Sequence, residues 1–161
     1  MMSELSTMPA EGSTHRRSGL VDLARIQCNT PAMTAMPVSA TGEFVDAILA
    51  RDLSRACGLL DADVDFRAMT PNRFWEANSP VDVEEVLRAW FEHPEREVER
   101  VEPIEPAFVE DTRRVGWRVY GRSADGSFAY EQQAYVREDD GRVVWLRVMC
   151  SGPRPAANVS P

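Results

Sequence analysis

Three polar side chains that could do chemistry recur at strand spacing near the C-terminus: Tyr130, Gln132 and Cys150. Alternation places Phe128, Tyr130, Gln132, Ala134 and Val136 on one face of a strand, and Val144, Leu146, Val148 and Cys150 on one face of the next. A phenol can donate a proton, a primary amide can orient a polar substrate, and a thiolate can act as a nucleophile. Each also has a structural role: Gln132 as a bridge to a neighbouring strand or buried water, Tyr130 as a core aromatic, Cys150 as a small buried hydrophobe. No histidine lies near Cys150 in the sequence to lower its pKa. The weak catalytic candidates are Tyr130, Cys150 and, from a separate segment, Asp65.

Composition removes several chemistries. The 161-residue chain has no lysine, so a Schiff base or a lysine general base is impossible. Its formal charge of −8 argues against nucleic acid, whose phosphates need a basic surface. Three cysteines (Cys28, Cys57, Cys150) without paired spacing suggest reduced thiols in a cytosol. His15 and His93 are too far apart to suggest a metal site, and no cofactor is expected. No apolar run approaches the roughly 20 residues of a membrane span. The stretch HRRSGLVDLARIQC is broken by Asp22 and Arg25, so it is not read as a signal sequence, and the protein is expected in the cytoplasm.

These side chains need a sheet to position them. A three-residue loop, Asp139-Asp140-Gly141, pairs Val136 with Val144, Ala134 with Leu146, Gln132 with Val148 and Tyr130 with Cys150. An Asp125-Gly126 turn pairs Val119 with Gln132, Trp117 with Ala134 and Val115 with Val136. Three antiparallel strands, about 112–123, 127–138 and 142–151, then share one inner face. Upstream, residues 1–40 read as a disordered tail with one transient helical turn at Leu20–Ile26. Met33 and Met36 within it are alternative starts. Thr41 and Asp52 are candidate caps for two short helices over 41–60. Val64, Phe66 and Ala68 alternate as a strand, 73–77 forms a second, and Ser79-Pro80 opens a third helix ending at His93-Pro94. A strand over about 97–110 is interrupted by Pro103 and Pro106, and 153–161 is a solvated tail. One domain over 41–152 follows, α+β in class.

This order, with DADVDFRAMTP and the ending EQQAYVREDDGRVVWLRVMCSGPRP, resembles the nuclear transport factor 2-like (SnoaL-like) superfamily over about residues 41–154. The ending looks most like small bacterial members without an assigned reaction. The resemblance implies a cone: three helices on a strongly bent, mostly antiparallel sheet wrapping a pocket and often dimerising through the sheet. Its members include isomerases, cyclases, epoxide hydrolases, dehydratases and non-catalytic binding domains, so fold alone selects no reaction.

Those enzymes need a carboxylate inside the cone. In the three strands above none faces in: Glu131, Arg118 and Arg147 point outward. Asp65, Glu76 and Glu102 are left as groups that could reach the mouth. Phe66, Trp75, Trp90, Trp117, Tyr130, Gln132 and Cys150 are the expected pocket residues. On the outer face, Tyr120, Tyr135, Trp145, Arg147 and Met149 have the composition of an interface, which predicts a homodimer centred near Trp145. The expected function is binding of a small apolar organic ligand in the cone, extending to proton-transfer catalysis (isomerase, cyclase or dehydratase type) in specialised metabolism. The alternative is a non-catalytic dimeric interaction or regulatory domain whose cone is a filled core.

Overall fold

Hydroxyl and carboxylate caps set the three helices. The computed structural model describes residues 39–156, so the expected N-terminal tail, its helical turn, His15 and Cys28 lie outside the described residues. Helix α1, Ala40–Leu49, is capped by Ser39, whose hydroxyl accepts the Gly42 N–H at 3.1 Å. Thr41 is therefore not the cap. It is fully buried in the first turn, and its N–H goes to Glu138 Oε1 at 2.8 Å. Asp52 caps α2, Leu53–Gly58, by accepting the Arg55 N–H at 3.0 Å. Ser79 caps α3, Pro80–Phe91, with proline at the helix start where its missing N–H costs nothing.

Seven strands follow the same logic: β1 Leu60–Thr70, β2 Arg73–Ala77, β3 Arg96–Val109, β4 Thr112–Ser123, β5 Gly126–Asp139, β6 Arg142–Cys150 and β7 Arg154–Pro155. Their order is β2-β1-β6-β5-β4-β3, with β7 on the end of β5. All pairs are antiparallel except β1 with β6. Pro103 and Pro106 are tolerated because β3 is an edge strand, and its ladder breaks register between Ile104 and Ala107. The bulges curl the sheet. Three helices on a mostly antiparallel, bent sheet give the α+β cone expected from the sequence.

Both hairpin registers differ from expectation by two residues. Asp139 pairs with Arg142, so the β5–β6 loop is only Asp140-Gly141. Both loop residues have positive φ (47° and 74°), the two-residue geometry that matches strand twist, and Asp tolerates it. Val136 therefore meets Leu146, Ala134 meets Val148 and Gln132 meets Cys150. A bulge between Arg137 and Glu138 makes Val143, expected outside, the fully buried residue, while Val144 is only half-buried. In the β4–β5 turn the loop is Ala124-Asp125, and Gly126 follows it at φ 111°. The Ser123 hydroxyl closes this turn, accepting the Asp125 N–H and donating to Gly126 O. Val119 thus pairs with Tyr130, Trp117 with Gln132 and Val115 with Ala134. Each shift is even, so every other inner residue keeps its face.

The C-terminal segment is also more ordered than expected. Pro155 pairs with Phe128 and Arg154 with Ala129. Gly152 makes the turn into this segment at φ 76°, and a Cβ there would meet Pro71 Cγ at 2.4 Å. Only glycine lets the C-terminal segment lie this close to the β1–β2 turn.

Candidate functional site

The core between the helices and the sheet is filled. Phe44 and Trp117 pack with ring centroids 6.4 Å apart, and Phe66 is fully buried against Trp90 at 6.1 Å. Trp117 and Phe66, expected at the pocket wall, instead stand behind it. Beside this packing lies a cavity of about 410 Å³. Trp75 and Trp90 form one wall, edge to face with centroids 6.1 Å apart and planes at 84°. The Trp75 indole is anchored by donating to Thr70 Oγ1 at 3.1 Å. Tyr130, Gln132 and Cys150 line the sheet side. Five of the expected residues are thus brought together: Trp75, Trp90, Tyr130, Gln132 and Cys150.

The polar groups here have unequal satisfaction. Gln132 is 1% exposed, and its Oε1 accepts the Trp117 Nε1–H at 2.7 Å. Indole is only a donor, so this bond fixes which end of the amide is oxygen. Tyr130 is 6% exposed, and its hydroxyl has no partner; neither does the buried Trp90 Nε1–H. An unpaired buried donor is costly, and both residues line this cavity.

Ionisation separates donors from bases. Burial pushes the Tyr130 phenol far above its ordinary value, with a smaller push from Cys150, against the pull of Arg96. Tyr130 is therefore a neutral donor near neutral pH. Burial likewise raises Cys150, opposed by the Gly152 N–H, the Gln132 amide and Arg96. Cys150 is a thiol, not the thiolate a nucleophile requires. Burial pushes Cys57 up to about 12, and Cys57 and Cys150 are both free.

Asp65 does not reach the cavity. Strand alternation turns Val64 and Phe66 inward and Asp65 to the opposite face, where Arg147 and Arg67 pair with it. The Arg147 hydrogen bond, more than either charge alone, holds its carboxyl below the ordinary value. Glu76 pairs with Arg67 and Glu102 with Arg100, both at the surface. No Asp or Glu lines the cavity. Among the described residues no group of three His, Cys, Asp or Glu could hold a metal ion, and no helix is long and apolar enough to cross a membrane.

Sequence reasoning missed Arg73, His93, Arg96 and Pro153, which also line the cavity. Two of them had a signal. Arg73 lies two residues before Trp75 on β2, and Arg96 two before the buried Val98 on β3. His93 and Pro153 arrive from turns with no periodicity to read. The His93 Nδ1 accepts the Glu95 N–H at 3.2 Å, so the neutral ring carries its proton on Nε2.

On the outer face, Tyr135, Met149, Phe74 and Met69 border a groove of about 290 Å³ with Arg67 and Arg147. Phe74 is 57% and Met149 58% exposed. Trp145 is half-buried with the Arg147 guanidinium 4.4 Å from its ring. Tyr120 lies under Arg100 at 4.2 Å and is not part of that groove. The register shift also changes the facing pairs: Tyr135 opposes Arg147, and Arg118 opposes Glu131, with which it forms an ion pair at 2.9 Å.

No protein-family model and no curated protein matches the chain. Solved structures do. A proposed isomerase from Rhodopseudomonas palustris aligns with TM-score 0.57 and 16% identity over 73% of this chain and 93% of that one. A nuclear transport factor 2-like protein from Burkholderia thailandensis aligns with TM-score 0.56 and 15% identity over 70% and 88%. An epoxide hydrolase from M. tuberculosis aligns with TM-score 0.51 and 14% identity over 70% and 80%. At these identities the likeness is one of fold.

Proposed function

We propose, with the nuclear transport factor 2-like cone as premise, that this chain binds a small aromatic organic molecule in this cavity. Structural neighbours of this fold include an epoxide hydrolase and proposed isomerases. The observation that carries the reading is the pair of partnerless buried donors, Tyr130 OH and Trp90 Nε1–H, beside a cavity of about 410 Å³. That volume lies within the range of small-molecule sites, roughly 300–1,000 Å³. Carboxylate-driven proton transfer has no group to carry it among the lining residues. An enzymatic role would rest on Tyr130 as proton donor. The filled-core alternative accounts for Phe66 and Trp117 but leaves the two donors unexplained. A cytosolic setting belongs to the proposal, supported by the free thiols Cys57 and Cys150.

Native mass spectrometry of the protein purified from its own host, before and after denaturation, tests this reading. One organic molecule per chain is expected, released on unfolding. A ligand-free protein that also takes up no aromatic probe would overturn it.

A second copy of the chain is the partner proposed for the outer face. Met69, Phe74, Tyr135 and Met149 are exposed apolar side chains on one surface. The ion-paired Asp65, Arg67 and Arg147 beside them let a two-fold axis match opposite charges.

A further inference from the structure

We infer that the cavity takes an organic anion, an aromatic body carrying a carboxylate or similar oxyanion, with Arg96 and Arg73 supplying the countercharge. The inference rests on the ligand-binding reading above and gives it a ligand class.

Charge distribution is the first support. In a chain of net charge −8, the cavity gathers Arg73 and Arg96 and no carboxylate. Seven other arginines pair with Asp or Glu; among the described residues neither Arg73 nor Arg96 does. Arg73 sits over the Trp75 ring, its guanidinium carbon 3.6 Å from the centroid. That cation–π contact holds the charge beside the cavity without using its N–H donors. Arg96 enters at the start of β3, close enough for its charge to act on both Tyr130 and Cys150. A concave site lined by one sign of charge raises the local concentration of the opposite sign.

Donor balance is the second. Tyr130 OH and Trp90 Nε1–H are buried without acceptors, and the His93 Nε2 carries the proton of the neutral ring. Gln132 has spent its oxygen on Trp117, and Thr70 Oγ1 already accepts from Trp75. Apart from the Asn72 amide oxygen, the side chains lining the cavity therefore offer more donors than free acceptors. An oxyanion is the ligand group that only accepts. The two indoles, set edge to face, give its body an apolar wall.

Isothermal titration calorimetry with 2-naphthoate and its neutral isostere 2-naphthamide tests the inference on the full chain. The anion is expected to bind about tenfold or more tightly than the amide, the scale of one charge-assisted contact. R96M and R73M should each weaken naphthoate about tenfold and leave naphthamide within about twofold. R55M, on α2 away from the cavity, should change neither. Equal affinity for the two probes, or Arg variants without effect on naphthoate, would overturn the anion inference while leaving the ligand-binding reading in place. Failure of both probes to bind would overturn the ligand-binding reading and this inference with it.

Discussion

Gln132 and Tyr130 sit two residues apart on β5 and carry opposite stability signs. The Gln132 oxygen takes the Trp117 indole proton where no water reaches. Gln132→Leu would strand that N–H, costing about 1–3 kcal/mol of unfolding free energy. Tyr130→Phe removes a hydroxyl that has no partner, so the unliganded fold should keep its stability or gain slightly. Urea denaturation of both variants measures the difference; equal losses would show that the Tyr130 hydroxyl is satisfied after all. Both residues were readable because β-alternation is strict: a residue two along must share a face. Asp65 was misplaced because its own strand was read without its ion partners. Its neighbour is Arg147, separated by 82 positions in the chain, and no local pattern brings the two together.

At the scale of elements, turns decided what the sequence left ambiguous. Inner and outer faces of β4 and β5 were legible from apolar alternation. The exact partners were not, because any even shift satisfies that pattern. The choice fell to Asp140, which accepts φ 47° and so allows a two-residue loop. Another element junction is electrostatic. Burial alone would raise the Glu138 carboxyl, but hydrogen bonds from Thr41 and Ala40 at the α1 N-terminus and the Arg113 charge hold it below its ordinary 4.5. A carboxylate at a helix start is favoured by the helix dipole. Because the folded pKa is depressed, this contribution is present above the ordinary value and is lost as pH falls through it and below. Glu138 is exposed, so solvent screening limits it to about 0.5 kcal/mol. Glu138→Gln should lower stability by that amount at pH 7 and match the wild type at about pH 3. Denaturation midpoints at the two pH values check it; a gap independent of pH would assign the loss to packing.

For the whole molecule, the outer sheet face predicts assembly. The sequence pointed to Trp145 as its centre, but Arg147 covers that ring, and the exposed apolar groups lie toward Met69, Phe74 and Met149. Placing a charge there should break a dimer where desolvation matters most. Light scattering after size exclusion should give twice the chain mass for the wild type and the single-chain mass for Met149→Glu. A wild-type monomer would remove the interface. The cavity was half legible for a related reason. Its sheet side follows strand periodicity, whereas His93 and Pro153 reach it only because the curled sheet and the Gly152 turn bring distant loops over the mouth.

The parallel pairing of β1 with β6 constrains how the chain is made. Phe66 lies beside Leu146, so β1 leaves the ribosome about eighty residues before its neighbour exists. At translation speeds of roughly 5–20 residues per second, that is a wait on the order of 4–16 s. During it the helices and the β1–β2 hairpin present Val64, Phe66 and Ala68 along an unpaired edge. Antiparallel β3, β4 and β5 can zip locally as they emerge, but the sheet closes only when its penultimate strand arrives. Until then the β1 edge stays open, the kind of edge on which chains pair wrongly.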